Sequence, residues 1–228
     1  SGFYGLLADG YTAVIEMAAA AGLPLMEGRL GAEGATTYGV GELILAAIRD
    51  GARRIILGLG GSATNDGGCG AAAALGAEFL DVKGRAFVPT GGTLTQIAHI
   101  RMKGLRETLA GAEVTVMCDI DNPLCGPAGA AAVFGPQKGA DAAMVARMDA
   151  GLRHLAEMLE KDVGMAVLAL AGGGSAGGFG AGAAAFFGGQ LRMGIDVVLD
   201  LTDFDRKCRG ASLVITGEGH LDSQSLRG

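Results

Sequence analysis

Histidine, proline and closely spaced cysteine pairs are scarce or absent in this sequence of 228 residues, and each shortage argues against a class of protein. The four cysteines, at positions 69, 118, 125 and 208, form no C-x-x-C pair, so their spacing favours free thiols over a zinc site or a disulfide framework. None of the three histidines is accompanied by a nucleophilic serine or cysteine motif, which argues against acyl-transfer hydrolysis. With five prolines and no G-x-y period, the chain is neither collagen-like nor disordered.

Basic charge is also scarce. The formal net charge is −6, which argues against nucleic acid or an anionic membrane as a partner, because either would need a basic face. Free thiols indicate a reducing cytoplasm. The sequence contains no pattern from which an oligomeric state follows. The uncharged stretch over residues 165–190 is long enough to cross a bilayer, but its nine glycines would break such a helix. We interpret it instead as a buried strand, a loop and a helix.

Glycine, in contrast, is abundant: it occupies 42 of 228 positions, where an average chain has about 7%. The most informative glycine-rich segment is residues 55–68, IILGLGGSATNDGG, in which an apolar strand leads through polar residues into a small-residue helix. Free N–H groups and the helix dipole at such a point favour phosphate or metal-bound phosphate. The alternative is a tight turn that binds nothing. The candidate binding residues are Gly60, Gly61, Ser62, Thr64 and Asn65, with Asp66 as a candidate catalytic carboxylate.

Apolar, β-branched runs that end in polar or glycine-rich loops recur along the chain. They predict strands over residues 12–17, 53–59, 113–118, 166–171 and 212–216, a hairpin over 78–84, and helices over 40–50, 68–76 and 141–161. Strands separated by helices indicate an α/β fold with a largely parallel sheet flanked by helices. Ligands of such sheets bind beyond the carboxyl ends of the strands. We therefore expect the loops after four of these strands to meet at one cleft.

Two carboxylates, Asp119 and Asp121, follow the predicted strand 113–118 with one residue between them. Alternating carboxylates at a strand end can hold Mg²⁺ through one or two oxygens, or accept a proton from a hydroxyl. Asp119 is a candidate catalytic carboxylate, and Asn122 joins it as a candidate binding residue. An Asp-Asn-Pro turn, in which the aspartate caps its own backbone, accounts for the same residues without a ligand.

A second glycine-rich loop contains Gly172, Gly174 and Gly177, which satisfy G-x-G-x-x-G after a predicted strand. The acidic residue expected about 20 positions further on in a dinucleotide site has no good candidate. A loop that cradles phosphate through Gly173, Gly174, Ser175 and Gly177 fits better than NAD binding.

Two further segments carry candidate ligands. Lys138, in FGPQKGA, is a lysine among glycines that can pair with a phosphate as a point charge, and a solvated loop lysine is the equal alternative. Near the end of the chain, two carboxylates flanked by glycine and hydroxyls favour a metal or a substrate hydroxyl, or else a helix-capping box. The candidates there are Glu218, Asp222, Ser223 and Gln224, with Asp222 and Asp119 as candidate metal ligands.

Six blocks of the sequence, in order, are GAEGATTYGVGELI, GLGGSATNDGG, CDIDNPLCG, FGPQKGA, AGGGSAGGFGAG and ITGEGHLDSQSLRG. In all six the sequence resembles the type 1 glycerate kinase family. The resemblance covers most of the chain and implies an ATP- and Mg²⁺-dependent kinase that phosphorylates D-glycerate, giving the 2- or 3-phospho isomer. It also makes Asp119 the stronger candidate of the pair Asp119 and Asp121, because the first of these two positions in CDIDNPLCG is an aspartate in the family.

The resemblance has one departure, because the family's chains extend at both ends. We therefore expect residues 1–228 to be a fragment, mainly the central α/β domain of a two-domain glycerate kinase fold. Segments of the companion Rossmann-like domain are then absent or incomplete, and the fragment alone is expected to be inactive.

The absence of a G-x-x-x-x-G-K-[ST] sequence excludes a P-loop kinase, and the protein-kinase motifs are absent too. Phosphoryl transfer needs positioning, charge neutralisation and an acceptor for the hydroxyl proton, and Asp66 or Asp119 can serve as base or metal ligand. Two alternatives stay open. One is an NAD-dependent Rossmann-type oxidoreductase, and the other is a non-catalytic assembly or regulatory domain whose glycines only allow close packing.

Overall fold

A five-stranded, mostly parallel sheet forms the centre of the computed structural model, which describes residues 2–26, 28, 30–215 and 217. The strands of this sheet and of a smaller one are, in chain order, β1 (Gly5–Leu6), β2 (Thr12–Glu16), β3 (Arg54–Gly58), β4 (Glu78–Leu80), β5 (Ala86–Phe87), β6 (His99–Arg101), β7 (Glu113–Met117) and β8 (Gln190–Arg192). The large sheet has the order β1-β2-β3-β7-β8, and the small antiparallel sheet the order β5-β4-β6.

The helices flank the large sheet and confirm the α/β class that the sequence predicts. In chain order they are α1 (Ala18–Ala21), α2 (Tyr38–Arg49), α3 (Cys69–Ala74), α4 (Lys103–Thr108), α5 (Ala130–Phe134), α6 (Ala142–Met158), α7 (Ser175–Phe187), α8 (Gly194–Thr202) and α9 (Phe204–Cys208). Short 3-10 turns cover Leu23–Met26, Leu94–Gln96 and Pro136–Lys138, and a π-helical turn, Leu159–Val163, extends α6.

Strand β3 is the central strand of the large sheet. It runs parallel to β2 on one side and to β7 on the other, and β8 continues the parallel order beyond β7. Ile55, Ile56 and Leu57 are fully buried, which is the continuous apolar pattern of a strand covered on both faces. Because β2, β3, β7 and β8 are parallel, the loops at their carboxyl ends open on the same edge of the sheet.

Helix α2 shows why the predicted helices form where they do. Val40, Ile44 and Ala47 repeat at three- and four-residue intervals, and all three are buried. A Cβ at Gly41 would lie 2.4 Å from the carbonyl oxygen of Ala71 in α3. The absence of a side chain at Gly41 therefore lets α2 and α3 pack backbone to backbone. This packing joins the helix before β3 to the helix that follows the loop after β3.

Helix α7 is a buried helix of glycine, alanine and phenylalanine. Every residue in it is buried, and a Cβ at Gly182 would lie 1.9 Å from the carbonyl oxygen of Gly67. The helix thus packs directly against the backbone that follows β3. The segment spans 13 residues, of which Ala176, Gly177 and Gly178 have left-handed rather than helical dihedral angles. In the described part of the chain no helix has the length and apolar character needed to cross a membrane.

Two predicted strands are not formed in the described residues. Residues 166–171 make no strand, and Val167 is the one buried residue among them. The prediction is wrong because the place beside β7 is taken by β8, which pairs its Leu191 with Val116. Residues 212–215 also form no strand, and Thr216 lies outside the described residues. The predicted helices over 40–50, 68–76 and 141–161 and the hairpin of β4 and β5 are confirmed.

Candidate active-site cleft

A cleft of about 290 Å³ opens at the carboxyl ends of β3 and β7. The loops after these two strands form part of its wall, as is general for ligand sites of parallel sheets. The end of α5, the turn Pro136–Lys138 and the start of α7 complete it. The polar lining is Gly60, Gly61, Ser62, Asp119, Gln137, Lys138 and Ser175, and the apolar lining includes Leu23, Ile120 and Phe134.

Lys138 is the buried cation of this cleft, with 1% of its surface exposed. Its Nζ donates hydrogen bonds to Ser62 Oγ at 2.9 Å and to the carbonyl oxygen of Thr64 at 2.7 Å. Burial lowers the pKa of Lys138 to about 8, although the Asp66 carboxylate acts to raise it. An ammonium group has three donors, and the described residues accept hydrogen bonds from two of them, so the third can reach a ligand. The solvated loop lysine that the sequence left open is excluded by this burial.

Asp119 is the carboxylate of the cleft, and it is exposed. Its Oδ1 accepts a hydrogen bond at 2.6 Å from the N–H of Gly194, the first residue of α8. This contact orients the side chain, and Oδ2 accepts no hydrogen bond from the described residues. The carboxylate therefore does not cap its own backbone in an Asp-Asn-Pro turn. It has an oxygen available to accept a hydroxyl proton or to bind Mg²⁺.

Asp66 occupies a different environment, because it is fully buried and does not line the cleft. Its Oδ2 accepts hydrogen bonds from the N–H and Oγ1 of Thr37, at 2.8 and 2.9 Å, and from the Gly70 N–H at 3.2 Å. Its Oδ1 accepts one from the Gly68 N–H at 3.1 Å. Burial raises the pKa of Asp66, while these hydrogen bonds act to lower it. The geometry favours a structural function, in which Asp66 ties the start of α2 to the start of α3.

The two glycines after β3 differ in what surrounds them. A Cβ at Gly60 would meet no atom within 4 Å, and Gly61 has a φ of +71°, a conformation that other residues rarely adopt. The Gly61 carbonyl oxygen accepts a hydrogen bond from the Leu23 N–H at 2.9 Å, and the Ala63 N–H donates to the Ala21 carbonyl oxygen at 2.9 Å. The loop backbone is thus held by the end of α1 and the segment after it, and Gly60 leaves room for a ligand.

Thr64 and Asn65 lie behind the cleft lining. Both are buried, and Thr64 Oγ1 and the two polar side-chain atoms of Asn65 have no hydrogen-bond partner among the described residues. Unpaired buried polar atoms are uncommon and are typical of places where bound water, an ion or a functional requirement completes the structure. The two side chains do not line the cleft, and Thr64 contacts a lining residue through its carbonyl oxygen, which accepts a hydrogen bond from Lys138.

The second glycine-rich loop packs against protein. A Cβ at Gly173, Gly174 or Gly177 would lie 2.9, 2.2 or 2.0 Å from a backbone oxygen of another residue. Ser175 Oγ donates a hydrogen bond to the Gly172 carbonyl oxygen at 2.7 Å. These contacts favour a packing function for the glycines. The dinucleotide-binding alternative also lacks its structural context, since no strand precedes the loop.

Ala176 brings this loop to the cleft in a strained conformation. Its φ is +51°, and it lines the cleft next to Ser175. A non-glycine residue in the left-handed region costs about 1 kcal/mol or more, and such residues cluster at functional sites. The strain is therefore consistent with a loop shaped by a binding site.

The other candidates lie apart from the cleft or outside the described structure. Asn122 donates a hydrogen bond from Nδ2 to the Ala128 carbonyl oxygen at 2.9 Å and does not line the cleft. The described residues contain no cluster of three or more histidine, cysteine or acidic side chains that could hold a metal ion. The candidates outside the described residues are Glu218, Asp222, Ser223 and Gln224.

Sequence analysis missed several residues of the cleft. Gln137 has a local signal, because it precedes Lys138 in the same glycine-flanked loop. Leu23, Phe134 and Ala176 have none, because an apolar residue in a cleft wall resembles any other apolar residue until the chain is folded.

The fold and the cleft together define a class. The chain is a parallel α/β protein whose sheet edge forms a small cleft with one buried ammonium and one exposed carboxylate, a lining suited to a small polar ligand with an anionic group. The family model of the glycerate kinase family matches residues 1–228. The chain belongs to the glycerate kinase family.

Individual relatives agree with the family match. The chain is 49% identical to a glycerate kinase of Bacillus subtilis (strain 168) over 99% of its own length and 59% of the relative's. It is 45% identical to a glycerate 2-kinase of Escherichia coli (strain K12), over 99% of its length and 59% of the relative's. A solved structure described as glycerate kinase 2 from Salmonella typhimurium LT2 superposes with a TM-score of 0.93 at 46% identity, and the match covers 99% of this chain and 60% of that one. The chain thus spans about 60% of the length of these relatives.

Proposed function

We propose that the protein transfers the terminal phosphoryl group of ATP to a hydroxyl group of D-glycerate. The observation that carries the proposal is the pairing of Asp119 and Lys138 in one cleft of a chain from the glycerate kinase family. Phosphoryl transfer requires positioned reactants, stabilisation of negative charge and an acceptor for the hydroxyl proton. The cleft offers a carboxylate and a cation, and it needs no histidine or cysteine nucleophile for this chemistry.

Asp119 is the residue that we assign to the acceptor hydroxyl. Its Oδ1 is held by the Gly194 N–H, so Oδ2 can accept the proton of the attacking hydroxyl or bind a metal ion. Asp66 contributes indirectly, because its hydrogen bonds to Thr37, Gly68 and Gly70 hold the loop that carries Gly60 to Ser62.

Mg²⁺ fits this arrangement as an ion carried by the nucleotide. In proteins it is usually bound by one or two carboxylates together with substrate phosphates and water, rather than by a cage of protein ligands. Asp119, an exposed carboxylate of the cleft, can supply one such ligand. Bound Mg²⁺ would neutralise charge on the transferred phosphoryl group, and Asp222 is a further candidate ligand outside the described residues.

A coupled assay of ADP release tests the proposal. We expect ATP consumption by the natural full-length protein that depends on D-glycerate, and ³¹P NMR of the product distinguishes 2- from 3-phosphoglycerate. We also expect MgATP or MgADP, but not NADH, to raise the melting temperature of the protein. Protection by NADH would instead support the oxidoreductase. No glycerate-dependent turnover, with no effect of any nucleotide, would support the non-catalytic domain.

A further inference from the structure

The charge of the cleft limits what it can bind. Among its lining residues the charged side chains are one cation, Lys138, and one carboxylate, Asp119. A nucleotide triphosphate carries several negative charges, which is more than the single ammonium of the cleft can balance, so bound Mg²⁺ and groups outside this lining must meet most of them. A monocarboxylate that also bears a hydroxyl matches this lining, because its carboxylate can pair with Lys138 while its hydroxyl donates to Asp119.

The volume of the cleft also favours a small hydroxy acid over a complete nucleotide. Sites for drug-sized ligands have volumes of about 300 to 1,000 Å³, and this cleft, at about 290 Å³, is just below that range. A three-carbon acid fits such a volume, whereas a complete nucleotide needs more. The cleft is therefore suited to the acceptor substrate rather than to the whole phosphate donor.

The hydrogen bonds around Lys138 leave two donors side by side. Nζ uses two of its three donors on Ser62 Oγ and the Thr64 carbonyl oxygen. Because Ser62 Oγ is an acceptor in the first of these bonds, its own proton can be donated elsewhere. The third ammonium proton and the Ser62 hydroxyl proton are thus offered by atoms 2.9 Å apart, a spacing at which the two oxygens of one carboxylate can each accept a hydrogen bond.

We propose that Lys138 and Ser62 bind the carboxylate of the hydroxy acid and so position its hydroxyl toward Asp119, and that only the terminal phosphoryl group of the nucleotide enters the cleft to meet that hydroxyl. This inference rests on the proposed function and assigns one end of the substrate to named residues. Burial supports it, because a carboxylate beside the desolvated ammonium strengthens both hydrogen bonds and keeps Lys138 protonated.

Steady-state kinetics of the natural full-length protein provide the first test. We expect Lys138→Met to raise KM for D-glycerate roughly 10- to 100-fold, since a hydrogen bond to a charged group is lost, and Ser62→Ala to raise it several-fold. KM for ATP should change much less in both variants, and Lys138→Arg should recover part of the loss. The matched control is Lys103→Met in α4, which lies outside the cleft. An equal or larger rise in KM for ATP would overturn the proposal and assign Lys138 to the nucleotide.

Direct observation of the lysine provides a test that needs no turnover and no variant. The side-chain NMR signal of Lys138, in protein with ¹³C-labelled lysine, should shift on addition of D-glycerate, and its titration should move to higher pH. Glycerol, which has a hydroxyl in place of the carboxylate, should leave the signal in place, as should MgADP. A response to MgADP but not to D-glycerate would overturn the proposal. If turnover is absent but the response to D-glycerate is present, the proposed function fails and the carboxylate site stands.

Discussion

Asp66 and Asp119 both follow strands that are parallel neighbours, β3 and β7, yet the fold places them in opposite environments. Asp66 is fully buried and accepts hydrogen bonds from three backbone N–H groups and from hydroxyl groups. Asp119 is exposed in the cleft and is held through Oδ1 by one N–H. A carboxylate whose oxygens are all occupied maintains a structure, whereas one with an oxygen available can act on a ligand.

The two glycine-rich loops differ in the same way. Gly60 faces open space at the cleft, whereas a Cβ at Gly174 would lie 2.2 Å from the Pro123 carbonyl oxygen. Glycine is thus required in the second loop for packing, and in the first it leaves room for a ligand. In both comparisons the chemistry of the residue is the same and the packing around it decides its function.

The largest effect is expected from a substitution of Asp66, and it is a loss of stability. Asp66→Asn places an amide N–H₂ among donors, so at least one buried N–H loses its acceptor. We expect the free energy of unfolding to fall by about 3 to 5 kcal/mol, measured by urea denaturation. Asp121→Asn, at an exposed position, is the control and should change it by less than about 0.5 kcal/mol. Equal stability of the two variants would show that Asp66 is not a structural residue.

Lys138 should make stability depend on pH. Its pKa is lowered from 10.5 to about 8 in the folded protein, so the buried charge is destabilising below pH 8, and that cost is lost as pH rises from 8 to 10.5. We expect the free energy of unfolding, relative to Lys138→Met, to rise by roughly 3 kcal/mol over this interval. Urea denaturation at several pH values measures it. A constant difference would mean that Lys138 titrates as in the unfolded chain.

Asp119 should affect turnover and leave stability nearly unchanged. Asp119→Asn keeps an oxygen to accept the Gly194 N–H but removes the negative charge. We expect glycerate-dependent ADP release by the natural full-length protein to fall 100-fold or more, with a change in the free energy of unfolding below about 1 kcal/mol. Normal turnover in this variant would remove Asp119 from the mechanism, and the comparison with Asp66 would then rest on stability alone.

The smallest effect distinguishes the two glycine-rich loops. Gly174→Ala should destabilise the protein by about 1 to 3 kcal/mol, because its Cβ overlaps the Pro123 carbonyl oxygen. Gly60→Ala should change the free energy of unfolding by less than about 0.5 kcal/mol and weaken D-glycerate binding, measured by calorimetry. If Gly60→Ala binds D-glycerate normally, the open space beside Gly60 is not part of the site.

Much of the fold and part of the site were predictable from local sequence. The buried run of β3 and the helical periodicity of α2 and α6 are encoded within a few residues, and the rule for parallel sheets directed attention to the loops after β3 and β7. The cleft-lining residues Ser62 and Asp119 were candidates for this reason, and Lys138 was a candidate because it is a lysine among glycines. The apolar wall residues were not, because their position depends on distant segments.

The sequence by itself determined the α/β class, the glycine-rich loop after β3 and the membership of the glycerate kinase family. Only the tertiary structure decided that β8, and not residues 166–171, pairs with β7, and that Lys138 and Asp119 share a cleft while Asp66 is buried. The physical reason is that strand pairing and burial are set by contacts between segments far apart in the chain. Local patterns of polarity and secondary-structure propensity do not show which of several similar segments pairs with a given strand.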